Sequence, residues 1–163
     1  MLEVARREAK GTGFESHAFY EASSIRKVDS TYYFIWSSFV NHELCYATSQ
    51  YPDRDFQYRG VIISNGDIGY KGRKPEERLN TTGNNHGSII CVQGQWYIFY
   101  HRHTHNRSCC RQACAEKIQL LPDGSIPQVE MTNCGLNNGS LAAEAPTLPP
   151  LPAICTAAIW AIL

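Results

Sequence analysis

The 163-residue chain is 43% hydrophobic, enough to bury the core of one domain of ordinary size. Fifteen Lys and Arg balance fifteen Asp and Glu, so the formal net charge is zero. That removes the field which would gather a phosphate backbone or an anionic membrane, and argues for a neutral partner, neither nucleic acid nor membrane.

In chain order, Arg6, Arg7 and Lys10 interrupt the N-terminus, which has no apolar run of the kind a signal peptide needs, so residues 1–16 read as a lead-in. From residue 17 to about 135, short aromatic and β-branched runs alternate with turn signals and no helical period is sustained, which predicts an all-β fold. Strands are expected over 32–36, 44–48 and 58–63, separated by turns such as Pro52-Asp53 and Asn65-Gly66. A Gly-, Asn-, Lys- and Arg-rich connection over 64–84 follows. Two more strands, 88–92 and 96–100, flank Gln93-Gly94, and a further pair, 111–118 and 125–129, flanks Asp123-Gly124.

Beyond residue 135 the pattern changes. Pro146, Pro149, Pro150 and Pro152 precede an apolar run over 153–163 that is about half the length of a spanning helix, so 136–163 reads as a proline-rich, truncated or altered tail. Seven cysteines, at 45, 91, 109, 110, 114, 134 and 155, are an odd number and read as mostly free thiols.

The strands repeat. Laid at an offset of 85 − 21 = 64 residues, Ser24-Ile25 falls on Ser88-Ile89, Val28 on Val92 and Tyr32-Tyr33 on Trp96-Tyr97. Each copy is then a hairpin followed by a second strand pair: 44–49 with 57–63 in the first copy, 111–118 with 125–129 in the second. Four antiparallel strands per repeat is the construction of a propeller blade, and closed propellers hold roughly four to eight blades. A β-sandwich with a chance duplication is the alternative. In the propeller, equivalent positions of successive blades converge on the axis, so Glu21-Ala22 and Asn85-His86 should face one central pocket.

The segments 19–27, 32–35, 46–49, 83–89, 96–103 and 111–116 resemble, in order and spacing, the third to fifth blades of the five-bladed propeller of glycoside hydrolase family 43, the arabinofuranosidases and xylosidases. The resemblance covers residues 17–135. It implies a partial propeller of two to three blades and an inverting acid/base hydrolase acting on arabinose- or xylose-containing plant polysaccharide. Glu21 would be the general acid and Arg111 would hold sugar hydroxyls. His86 would sit near the axis, against the substrate or a central cation such as calcium held through water. No cofactor is required beyond that structural calcium. The family's base aspartate and a second, tuning aspartate would lie before Met1, so the isolated chain is expected to be inactive. The full-length protein would be secreted or periplasmic. A non-catalytic carbohydrate-binding module or pseudoenzyme is the competing reading. The related fructan-cleaving hydrolases have aspartate and Glu-Cys signatures that do not occur here.

Glycoside cleavage needs one carboxyl group to protonate the leaving oxygen and one to activate water. Phe19, Tyr20 and Ala22 beside Glu21 would desolvate it and raise its pKa toward the working pH; a structural glutamate is its plain alternative. Arg111 can equally be a surface arginine at a strand end, although its planar donor fork suits vicinal hydroxyls. His101, His103 and His105, followed by Cys109, Cys110 and Cys114, could suggest zinc, but the spacing is not that of a paired Cys-x-x-Cys site. The aromatic strands read as blade core, and 83–87 is no phosphate loop, since no lysine follows it and no helix starts there.

Overall fold

The computed structural model describes residues 10–104 and 107–137. Their regular structure is all-β apart from two single 3-10 turns in the 64–84 connection, Tyr70–Gly72 and Pro75–Glu77. The proline-rich tail and the apolar run over 153–163 lie outside the described residues, as do most of the lead-in and His105.

The first repeat forms a four-stranded antiparallel meander: β1 (Phe19–Val28), β2 (Thr31–Ser38), β3 (Leu44–Ser49) and β4 (Gln57–Ile63), paired in that order. The second forms a three-stranded meander: β5 (Gly87–Val92), β6 (Gln95–Thr104) and β7 (Arg107–Ile118). Both opening hairpins turn through residues with positive φ, Asp29 in the first, Gln93 and Gly94 in the second. The 64-residue offset is therefore physical: Ser24 Oγ and Ser88 Oγ lie 2.8 Å apart, and the two innermost strands run side by side.

The sheets pack face to face. Tyr33, Ile35, Leu44 and Tyr46 of the first meet Ile89, Ile98, Tyr100 and Ile118 of the second in one buried cluster. Strand alternation sends Phe34 and Trp36 to the opposite face, where Phe14, Phe19, Phe56 and Tyr58 cover them. Gly87 lets β5 lie this close to β6 and to the first sheet, because a Cβ there would come within 2.2 Å of the Phe99 carbonyl oxygen in its own sheet and 2.7 Å of Leu44 Cδ1 in the other.

The expected fourth strand of the second blade, 125–129, does not form. Pro127 has no N–H to give a ladder, and the neighbouring backbone groups are engaged by the first blade. Ile126 N donates to Tyr46 Oη at 2.7 Å, and Val129 N donates to the Ile62 carbonyl of β4 at 2.9 Å. The chain leaving β7 thus runs along the outer edge of the first sheet and covers an otherwise open strand. Two stacked blade sheets with their inner strands adjacent make a partial propeller.

Candidate active site where the inner strands meet

Glu21 sits near the start of β1, where the ladder to β2 slips on both sides of it and Ala22 takes a left-handed backbone, φ 60°. A bulge of this kind re-aims a side chain. Glu21 Oε1 lies 2.9 Å from His86 Nε2, and His86 immediately precedes β5. The pair expected from the repeat thus comes together, one residue from each blade, on an open surface. The imidazole of His86 in turn lies against that of His101 on β6, ring centroids 4.9 Å apart.

The side chain of Glu21 is 40% exposed, so apolar enclosure by Phe19 and Tyr20 is not what defines its surroundings. Tyr20 instead faces Phe39 and His42 in two edge-on contacts, and Phe19 stacks on Phe34. What surrounds Glu21 is imidazole. His42 Nδ1 is 3.9 Å from the same Oε1, held by a turn in which Asn41 and His42 both have positive φ. Burial lowers the pKa of His42 despite the neighbouring carboxylate. His101 is pushed down to about 4, first by burial and then by the positive fields of His86, Arg111 and His103. Neutral imidazoles at neutral pH can donate one hydrogen bond and accept another, which suits them to orient a carboxyl group.

Arg111 lies on β7 with an exposed residue surface. It reaches the site through its field on His101, and it makes no hydrogen bond to Glu21 or His86. Asn85, the repeat equivalent of Glu21, is fully buried with both amide atoms unpaired among the described residues. His103 Nε2 is bonded to Asn84 Nδ2 at 2.8 Å. The ladder slips between Arg102 and Thr104, so the histidines of β6 do not form one row. Sequence reasoning missed His42 because a lone turn histidine carries no pattern; the Asn41-His42 pair at a tight reversal was its only signal.

A direct calcium site does not fit these residues. The donors around His86 are mainly nitrogens, whereas calcium takes oxygen, and no three His, Cys, Asp or Glu among the described residues converge on one point. That covers zinc as well for His101, His103 and the described cysteines; those six, Cys45, Cys91, Cys109, Cys110, Cys114 and Cys134, are free thiols. A recess of about 420 Å³ lies away from Glu21 and His86, between Asn80, Arg102, His103, Gln112 and Asn133. Glu21 itself is on an open surface, as one wall of a larger pocket would be.

No protein-family profile matches the chain. Among curated proteins, it is 60% identical over 128 residues to a xylosidase/arabinosidase of Thermoclostridium stercorarium, a match covering 78% of this chain and 27% of that protein. A xylosidase/arabinosidase of Bacteroides ovatus is 32% identical over 120 residues, covering 72% and 33%. Among solved structures, the chain superposes with a TM-score of 0.57 and 29% identity on CoXyl43, a GH43 β-xylosidase/α-arabinofuranosidase from a compost metagenome solved with xylotriose in a calcium-free form. That match covers 72% of this chain and 32% of CoXyl43. The chain spans about a quarter to a third of the length of these relatives.

Proposed function

We propose that this chain, which by sequence and by fold is a portion of a glycoside hydrolase family 43 propeller, supplies the general-acid side of a pentose-releasing glycosidase site. The observation that carries this reading is the 2.9 Å contact between Glu21 and His86 where the inner strands of two blades meet. The names of the relatives, xylosidase/arabinosidase and β-xylosidase/α-arabinofuranosidase, support xylose or arabinose as the sugar released, and the reading takes it from the end or branch of a plant polysaccharide. In this reading the full-length protein works outside the cytoplasm, where such a polymer lies.

In this reading His86 Nε2–H donates to Glu21 Oε1, which leaves Oε2 to carry the proton toward the glycosidic oxygen. As the C–O bond breaks, that proton passes to the leaving alcohol and Glu21 becomes a carboxylate, whose charge the His86 donor stabilises. In the same displacement water attacks the anomeric carbon from the opposite face and loses its proton to a second carboxylate, inverting the configuration. Arg111, with its donor fork in the open, holds sugar hydroxyls. His86 also contacts the sugar; a calcium ion held through water beside it would add positive charge near the sugar oxygens.

The second carboxylate is not among the described aspartates. Asp53 and Asp55 flank Arg54, Asp123 pairs with Ser125 and Arg59, Asp67 accepts from Met131 N, and Asp29 forms the β1–β2 turn. In this reading the base belongs to blades outside this segment, and the segment alone is expected not to turn over. Nitrophenyl xyloside and arabinoside hydrolysis by a version including the remaining blades tests the reading, and activity surviving in Glu21→Gln would remove Glu21 from the acid role. The open, one-carboxylate site also favours a second reading, a sugar-binding module without catalysis. In that case Glu21→Gln would leave xylotriose binding by the chain unchanged.

A further inference from the structure

We propose that the recess between β6, β7, the 64–84 connection and the 131–133 segment binds the carboxylate of a uronic acid unit, with Arg102 as its anchor. Arg102 is 9% exposed, so nearly all of its side chain is out of water. Its guanidinium donates through Nη2 to a neutral acceptor, Asn133 Oδ1, and it forms no ion pair among the described residues. Glu116, on the same face of β7 as Gln112, is already taken: Oε1 accepts from Tyr100 Oη and Thr132 N, and Oε2 from Thr132 Oγ1. A cation buried without a counter-ion is strongly disfavoured, and an anionic ligand removes that cost.

The recess has the size and the donors for such a ligand. Its volume, about 420 Å³, falls within the roughly 300–1,000 Å³ of small-molecule sites, and no Asp or Glu lines it. Gln112 stands opposite Arg102 in the β6–β7 ladder, so its amide and the guanidinium share one face of the sheet. Strand alternation puts Arg102 on the side of Ile98 and Tyr100, which pack into the core between the two sheets. The recess is therefore walled by this chain's own segments, on the side of the second sheet away from the outward face that a further blade would cover.

A planar guanidinium fork matches a carboxylate through two parallel hydrogen bonds, and the amides of Gln112 and Asn133 suit ring hydroxyls. A carboxylate among hydroxyls is the chemistry of a uronic acid. A net charge of zero excludes a field over the whole surface, which a single buried cation does not need. The anion site stands on Arg102 and its surroundings alone, whereas its assignment to a sugar acid rests on the glycosidase reading.

NMR titration of the 163-residue chain at pH 7 with D-glucuronic acid, D-xylose, acetate and phosphate tests the site. Glucuronate is expected to shift the Arg102 Nε–H and the side-chain amides of Gln112 and Asn133 to saturation, and to raise the unfolding midpoint. Xylose should leave these signals in place, and acetate and phosphate should bind more weakly. Gln112→Glu should supply the counter-ion from within: the variant should be more stable than the parent and should no longer bind glucuronate. Arg102→Gln should also lose binding, and should the latter variant not fold, Gln112→Glu still decides. No response to glucuronate, or the same response to xylose, overturns the site. Acetate or phosphate binding as tightly as glucuronate overturns the assignment to a uronic acid. Glu21→Gln should bind glucuronate as the parent does, so failure of the acid role and failure of this site are read separately.

Discussion

Glu21 and His86 are 65 residues apart in the chain, and their side chains meet at 2.9 Å. The register explains it: β1 and β5 are neighbouring inner strands one repeat apart, so residues at their starts converge. In a version with the remaining blades, Glu21→Gln should lower kcat by about 10²–10⁴-fold on substrates with poor leaving groups, the usual worth of a general acid. The loss should shrink for nitrophenyl glycosides, whose leaving groups need little protonation. His86→Ala should cost less than Glu21→Gln and should displace the acid limb of the pH profile. Equal losses on both leaving-group classes would point to a binding role for Glu21.

The buried histidines make stability pH-dependent with a definite sign. His101 has a folded pKa lowered to about 4, against 6.5 for the free side chain, and His42 shifts the same way. Below pH 6.5 the unfolded chain takes up protons that the folded chain refuses. Stability is therefore full above that value and falls as pH drops toward 4. Solvent reaching these half-buried rings screens the effect, leaving about 1–2 kcal/mol for His101. Urea midpoints at pH 7 and pH 4.5 should differ accordingly, and His101→Gln should narrow the difference.

The strands and the repeat were legible because each depends on local chemistry: β-branched and aromatic alternation, and turn residues that accept positive φ. The Glu21–His86 pairing followed from the repeat alone, since equal positions in stacked blades share an axis. His42 was not legible, because it reaches Glu21 through a turn that reverses the chain, which is not written in periodicity. Arg111 was named through the family resemblance, not through periodicity, and it lies exposed on β7. The missing fourth strand of the second blade failed for a related reason. Pro127 argued against it in the sequence, but its alternative partners, Tyr46 and Ile62, lie in the other blade.

Gly87 should tolerate no side chain. The backbone carbonyl of Phe99 and Leu44 Cδ1 occupy the space a Cβ would need, and only the leucine tip can yield. Gly87→Ala should cost about 3 kcal/mol, the upper end of the range for overpacked cores. It should also pull His86 away from Glu21, since His86 and Gly87 are adjacent in the chain. Denaturant unfolding measures the first effect, and the His86 ring shifts in NMR spectra report the second. A variant as stable as the parent would mean that the two sheets do not approach as closely as this packing requires.

Tyr46 decides whether the strand-edge cover formed by the 125–129 segment is held in place. Its hydroxyl accepts from Ile126 N at 2.7 Å inside the core, while Tyr33 Oη donates to the Gly124 carbonyl at 2.9 Å. Removing the Tyr46 hydroxyl leaves a buried N–H without an acceptor, which costs about 1–3 kcal/mol, whereas Tyr33→Phe leaves only a less-buried carbonyl without its donor. Tyr46→Phe should therefore be the more destabilising of the two and should selectively speed amide exchange at Ile126 and Val129. Because Val129 N bonds to β4, loss of the cover would leave the outer edge of the first sheet open to pairing with other chains. Faster aggregation of Tyr46→Phe than of Tyr33→Phe at matched stability is the expected result.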